Sequence, residues 1–182
     1  MSLEIEQQVK LLEEQIKKLQ SRQANDQISI IVFSGDLDKV LASMIIATGA
    51  AAMDMNVKMF FTFWGTATLR DKSKSAKGKN FMSKMFGFML PKGSTKLKLS
   101  RMNMCGMGTA MLKDLMKKKG TPSLEELIAT AAELGVEINI CEMSMNLMGF
   151  KREEVMDYPN LTYCGVASYL ADADESRIQL FI

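Results

Sequence analysis

Ile28–Trp64, ISIIVFSGDLDKVLASMIIATGAAAMDMNVKMFFTFW, decides the fold. Its opening run, Ile28 to Phe33, is unbroken β-branched and aromatic sequence, as a strand buried on both faces requires. Ser34-Gly35-Asp36 interrupts the run, and the apolar stretch from about Leu37 to Met53 is too long for a strand and predicts a helix. Val57 to Trp64 reads as a second strand. Strand, turn, long helix and strand make a βαβ unit, so the central sheet is expected to be mainly parallel, with a right-handed crossover.

Downstream, the pattern is first lost and then resumes. Arg70 to Arg101 holds ten Lys/Arg against one acidic residue, Asp71. Arg70 to Lys79 is polar and reads as a mobile loop, and Phe81 to Leu90 as a short Met- and Phe-rich helix stopped by Pro91 and Gly93. Gly108 to Lys119 predicts a helix, with Lys117, Lys118 and Lys119 placed favourably at its carboxyl end and Gly120 closing it. Ser123 and Glu126 form a capping box for a helix that runs to about Leu134. Val136 to Ile140 is a third buried strand ending at Cys141, followed by a helical turn at Glu153, a strand from Leu161 to Tyr163, a helix from Val166 to Ala173 and a last strand from Ile178 to Ile182. The class is α/β.

Upstream, Ile5, Val9, Leu12, Ile16 and Leu19 repeat at heptad spacing. About two heptads make a marginal helix that must dock, either on its own domain or on a second copy of the chain. The expected division is an N-terminal helix over residues 1–24, a linker marked by Asn25 and Asp26, and an α/β domain over 25–182 with a basic, Met-rich insertion at about 66–101.

Composition narrows the chemistry. A chain of 182 residues, 47% hydrophobic and 24% charged, fits one globular domain. No apolar run reaches the length of a membrane span, and the acidic N-terminus does not resemble a secretory signal. Three cysteines, Cys105, Cys141 and Cys164, match no zinc pattern and suit a reducing cytoplasm. The sequence contains no histidine. Ser-His-Asp hydrolysis, Cys-His proteolysis, His-ligated zinc and imidazole acid–base catalysis are therefore excluded. A reactive cysteine here must be activated by backbone N–H groups, a helix start or nearby cations.

Cys141 directly follows the strand Val136–Ile140, and in parallel sheets ligands bind beyond the carboxyl ends of the strands. Its competing reading is a small buried hydrophobe. Ser34, Gly35 and Asp36 hold the same place after the first strand, where a helix start offers an anion site, although neither a dinucleotide nor a Walker motif is present. Gly106, Met107 and Gly108 follow Cys105 in a second glycine-rich turn entering a helix, with Lys98 and Arg101 close in sequence. A lowered Cys105 pKa and a purely structural turn cysteine both fit that position. Cys164 reads as structural. Seventeen methionines, with Met104 and Met107 beside Cys105, suit an adaptable apolar surface better than a soft-metal site. The basic stretch suits an acidic protein partner or an anionic substrate better than nucleic acid, because the whole chain is only +2.

Several phrases resemble the DsrE/DsrF-like family. They are Ser34-Gly35-Asp36-Leu37-Asp38-Lys39, Phe61-Thr62-Phe63-Trp64-Gly65, Met104 through Met111 (MCGMGTAM), Gly135 through Gly149 (GVEINICEMSMNLMG) with Lys151-Arg152-Glu153-Glu154, Gly165 through Leu170, and Leu180-Phe181-Ile182. The resemblance covers about residues 28–182, and 135–154 is its most specific part. It implies a flavodoxin-like three-layer α/β fold, homo-oligomers, and transfer of persulfide or thiosulfate sulfur to TusA-like carriers. It carries the sulfur-accepting cysteine onto Cys141 and, through a looser pattern, Cys105. The N-terminal helix and the Met-rich insertion depart from the shorter members. No residues suggest flavin or nicotinamide chemistry, and no cofactor is expected. Two functions follow as expectations: a sulfur carrier or sulfurtransferase using a cysteine persulfide, and a non-catalytic oligomeric module binding an anionic or nucleotide-like ligand.

Overall fold

The computed structural model describes residues 8–15, 25–76, 85, 87 and 89–182. Its centre is a five-stranded sheet in the order β4-β3-β2-β1-β5, in which every pairing is parallel. The strands are β1 (Asn25–Val32), β2 (Asn56–Phe61), β3 (Glu137–Cys141), β4 (Leu161–Cys164) and β5 (Ser176–Phe181). The helices are α1 (Leu37–Ala51), α2 (Met107–Lys119), α3 (Leu124–Glu133), α4 (Glu142–Met148) and α5 (Val166–Asp174).

Side-chain alternation divides the sheet into two unequal faces. Ile28, Ile30, Val32, Val57, Met59, Phe61, Ile138 and Ile140 pack with Val40, Met44 and Ala47 of α1 and with Leu127, Ile128 and Ala131 of α3 in the main core. The opposite face is smaller and more polar. Phe60 and Cys141, with Ile31 and Cys164 at the margin, pack against Tyr169 and Ala173 of α5. Lower on that face, Ser29 and Ser176 hydroxyls lie 2.7 Å apart, and Gln27 donates to Ser176 at 2.8 Å. Helices on both faces give three layers. The three-layer α/β class with a parallel central sheet expected from the sequence is the one observed.

Several boundaries differ, for identifiable reasons. Asn25 and Asp26 open β1 rather than marking a linker, because Asn25 donates to Glu175 O and pairs in register with Ser176. β2 stops at Phe61: Phe63 turns to φ 44° and begins the 3-10 segment Phe63–Leu69. The loops after β1 and β2 then lie against each other. A Cβ on Gly35 would stand 2.6 Å from Trp64 O, and one on Gly65 2.2 Å from Val32 O, so both positions require glycine. The Ser123–Glu126 capping box and the left-handed Gly120 stop are present.

Residues 8–15 are helical and exposed along their whole length, including Val9, Leu11 and Leu12. Of the two docking modes open to this helix, packing along the chain's own domain is not seen for these residues. Ile5, Ile16 and Leu19 lie outside the described residues, as do most of Phe81–Leu90 and the end of the polar loop, including Lys77, Lys79 and Met82. Met85 and Met89 are helical and exposed. Among the described residues, no helix is long and apolar enough to cross a membrane.

Arg70 and Lys74 are not part of a free loop. Arg70 is buried and forms an antiparallel bridge with Val155. Its guanidinium lies 4.4 Å from the Phe150 ring centre, 3.4 Å from Glu154 Oε1, and within hydrogen-bonding reach of Gly87 O and Pro91 O at 3.3 Å. Lys74 pairs with Asp157 at 2.6 Å and donates to Val155 O at 3.1 Å. Arg70 thus ties Gly87 and Pro91 of the basic segment to Glu154 and Phe150, in the stretch between α4 and β4. Removing one member of a buried pair leaves the other charge without compensation, so Glu154→Gln is expected to lower unfolding free energy by ~3 kcal/mol in urea titration. A loss below ~0.5 kcal/mol would show that the pair does not anchor the segment.

Candidate functional site

Because all strands run the same way, the residues after β1, β2, β3 and β4 share one edge of the sheet: Ser34, Thr62, Cys141 and Cys164. Cys141 is the last residue of β3 and the N-cap of α4. The chain passes straight from strand to helix there, which turns the first N–H groups of α4 toward the sulfur. The helix starts at Glu142 and buries Ser144, whose hydroxyl lies 2.9 Å from that of Thr62.

Four donors favour the charged form of the Cys141 sulfur: the hydroxyl and N–H of Ser144, the Thr62 hydroxyl and the Met143 N–H. The resting side chain makes no aligned cap hydrogen bond, so these groups act chiefly on the ionised form. In the Thr62–Ser144 pair one hydroxyl donates to the other, which leaves the second hydrogen available to the sulfur. Burial pushes the Cys141 thiol up, but the Ser144, Thr62 and Met143 donors together outweigh it and hold the thiol below its ordinary value. This is activation without histidine.

Cys164 ends β4 and is the direct register partner of Cys141. It is half-buried, whereas Cys141 is only 3% exposed. Burial, the Asp172 carboxylate and a charged Cys141 push the Cys164 thiol up, against a smaller opposing effect of the Ser168 hydroxyl. Asp172 is itself paired with Lys58 at 2.5 Å. The sequence reading took Cys164 as structural. The signal that could have placed it lay in the segments EINIC and LTYC, consecutive parallel strands that each end on cysteine.

The other expected residues fall into two groups. Ser34, Gly35 and Asp36 line an open cavity of ≈ 850 Å³ with Phe33, Trp64 and the lysines Lys39, Lys92, Lys96 and Lys98. The start of α1 is not an open anion site: Leu37 N–H donates to Lys98 O, and Asp36 and Asp38 put two carboxylates on that turn. Asp36 pairs with Lys39 at 3.0 Å, and Asp38 accepts from Ser100 N at 2.8 Å. The positive charge of this cavity comes from its lysines. Cys105 stands apart from the Cys141 cluster. It is exposed, with φ 57°, in a turn held by Asn103, whose carbonyl accepts from Gly106 at 2.7 Å and Gly108 at 3.1 Å. Met104 and Met107 beside it are exposed at 65% and 58%, a sulfur-rich surface rather than a packed pocket. Among the described residues, no group of three His, Cys, Asp or Glu is arranged to hold a metal.

A model of the DsrE/DsrF/DrsH-like family matches residues 24–181. The chain is 47% identical over 154 residues to the uncharacterized protein YrkE of Bacillus subtilis, covering 85% of this chain and 95% of that one. It is 35% identical over 162 residues to the sulfur carrier protein DsrE2 of Allochromatium vinosum, covering 85% and 97%.

The sign of the two thiol shifts sets an order of reactivity. A lowered pKa fills the thiolate at lower pH, so a small alkylating reagent should modify Cys141 at a pH where Cys164 is still protonated. Removing one donor to a charged sulfur should raise the Cys141 midpoint by about one pH unit in Ser144→Ala. Superimposable profiles for the parent and the variant would show that Ser144 does not activate the thiol.

Proposed function

Since the chain belongs to the DsrE/DsrF/DrsH-like family, we propose that it is a cytoplasmic sulfur carrier holding sulfane sulfur on Cys141 as a persulfide and passing it to a protein thiol. The observation that carries this reading is the ring of donors from Thr62, Met143 and Ser144 around a thiol at the end of β3. The likeness to the Allochromatium sulfur carrier protein supports it.

The chemistry is a single displacement. Cys141 thiolate attacks the outer sulfur of a persulfide donor, a new S–S bond forms at Cys141, and the donor leaves as its own thiolate. With thiosulfate, the leaving group is sulfite. Release to an acceptor is the same step reversed on a new thiol. Neither direction needs a general base once the thiolate exists, so the lack of histidine does not hinder it. The donors also stabilise Cys141 as the leaving group when sulfur departs. The acceptor would be the thiol of a partner such as a TusA-like carrier, and Cys105, exposed among methionines, lies apart from the Cys141 cluster.

Assembly belongs to the same proposal. Val9, Leu11 and Leu12 on residues 8–15 and Met143 and Leu147 on α4 expose apolar side chains. A second copy of the chain would cover such surfaces. Light scattering at micromolar concentration should therefore give a mass above that of one chain. A monomeric mass would contradict the assembly.

The cavity at Ser34–Asp36 favours a second reading, a site for an anionic ligand. Lys92, Lys96 and Lys98 of its lining belong to the basic stretch expected to attract an anion, whereas Lys74 of that stretch is committed to Asp157. Replacing Lys92, Lys96 and Lys98 by Gln should weaken binding of an anionic donor such as thiosulfate and leave a neutral organic persulfide unaffected. Equal loss with both donors would remove the anion-site reading.

The carrier reading is tested by intact mass after incubation with inorganic polysulfide. One added sulfur atom, removable by a thiol reductant and absent in Cys141→Ser, is the expected result. An adduct that survives in Cys141→Ser would place the carrier function on another cysteine.

A further inference from the structure

We propose that Cys164 is the second sulfur-bearing thiol of this site, taking the outer sulfur from a Cys141 persulfide and presenting it to the protein acceptor. The proposal rests on the carrier reading of Cys141 and adds the route by which sulfur leaves it.

Geometry comes first. Cys141 and Cys164 face each other in register across β3 and β4. Neighbouring strands lie about 4.8 Å apart, and register partners in a parallel sheet point to the same face. That spacing falls within the Cα separation of roughly 4.4–6.8 Å over which cysteines bond through sulfur. Cys141 belongs to the small cluster with Phe60 and Tyr169, and Cys164 packs against that same cluster.

Access comes second. With 3% of its surface exposed, Cys141 cannot meet the thiol of a folded partner directly. Cys164 is half-buried and lies one strand closer to the sheet edge. Val166 and Leu170, just after it on α5, are exposed apolar side chains against which a partner could rest.

The step balances within the pair. Cys164 loses its proton to water and attacks the outer sulfur of the Cys141 persulfide. The S–S bond at Cys141 breaks, a new one forms at Cys164, and Cys141 departs as thiolate. No external oxidant or reductant is involved. The two environments favour this direction: the low-pKa thiol is the better leaving group, and the high-pKa thiol is the stronger nucleophile once ionised.

The test is a peptide-resolved time course of persulfide on the full chain after a pulse of polysulfide, in the parent, Cys141→Ser, Cys164→Ser and Cys164→Ala. The added sulfur should appear first on Cys141 and then on Cys164, and Cys164 should stay empty in Cys141→Ser. In both Cys164 variants sulfur should remain on Cys141, with delivery to a protein thiol falling about tenfold while delivery to free cysteine changes less than about twofold. Sulfur that loads Cys141 but never reaches Cys164, or unchanged delivery in both Cys164 variants, would overturn this proposal and leave the carrier reading intact. A chain that takes no sulfur on Cys141 would overturn both.

Discussion

Parallel pairing of all five strands is the constraint from which the rest follows. A parallel sheet cannot be joined by tight hairpins, so each crossover has to climb back over a face, and every strand delivers its carboxyl end to the same edge. Residues far apart in sequence, such as Thr62, Cys141 and Cys164, become neighbours for that reason alone. The cross-strand registers Phe61↔Ile140 and Cys141↔Cys164 therefore fix the reactive geometry as firmly as they fix the core.

The same arrangement reconciles two opposed demands on Cys141. Burial under α5 protects a reactive sulfur but penalises its charge. The immediate passage from β3 into α4 compensates, because it delivers the N–H groups of Met143 and Ser144, and the neighbouring strand end adds the Thr62 hydroxyl. Backbone donors are positioned by the fold and are themselves uncharged, which suits a protein without histidine. Cys164, one strand away, lacks such a set and shifts in the opposite direction. Two identical side chains thus shift in opposite directions because of their surroundings.

Much of this was legible in the sequence. The βαβ period of Ile28–Trp64, the Ser123–Glu126 capping box and the placing of Cys141 after a buried strand all rest on local patterns. What escaped was non-local. Thr62 follows one strand and Ser144 another, and only their pairing across the sheet brings them to the same sulfur. Arg70 looked like one more cation in a basic run, yet Glu154 and Phe150, distant in sequence, make it a buried anchor. The Ser34–Asp36 turn was read as an anion site from its helix start alone, while the backbone of Lys98 and the acids Asp36 and Asp38 occupy that start. Composition cannot show such internal competition.

The claim on which everything else depends is that the fold itself makes Cys141 a thiolate able to take sulfur. Its most direct test is the pH dependence of the rate at which Cys141 acquires sulfur from a neutral organic persulfide. The rate should reach half of its plateau below the ~8.5 of an ordinary free cysteine. A rate still rising through about pH 9, as for an unperturbed thiol, would contradict the account.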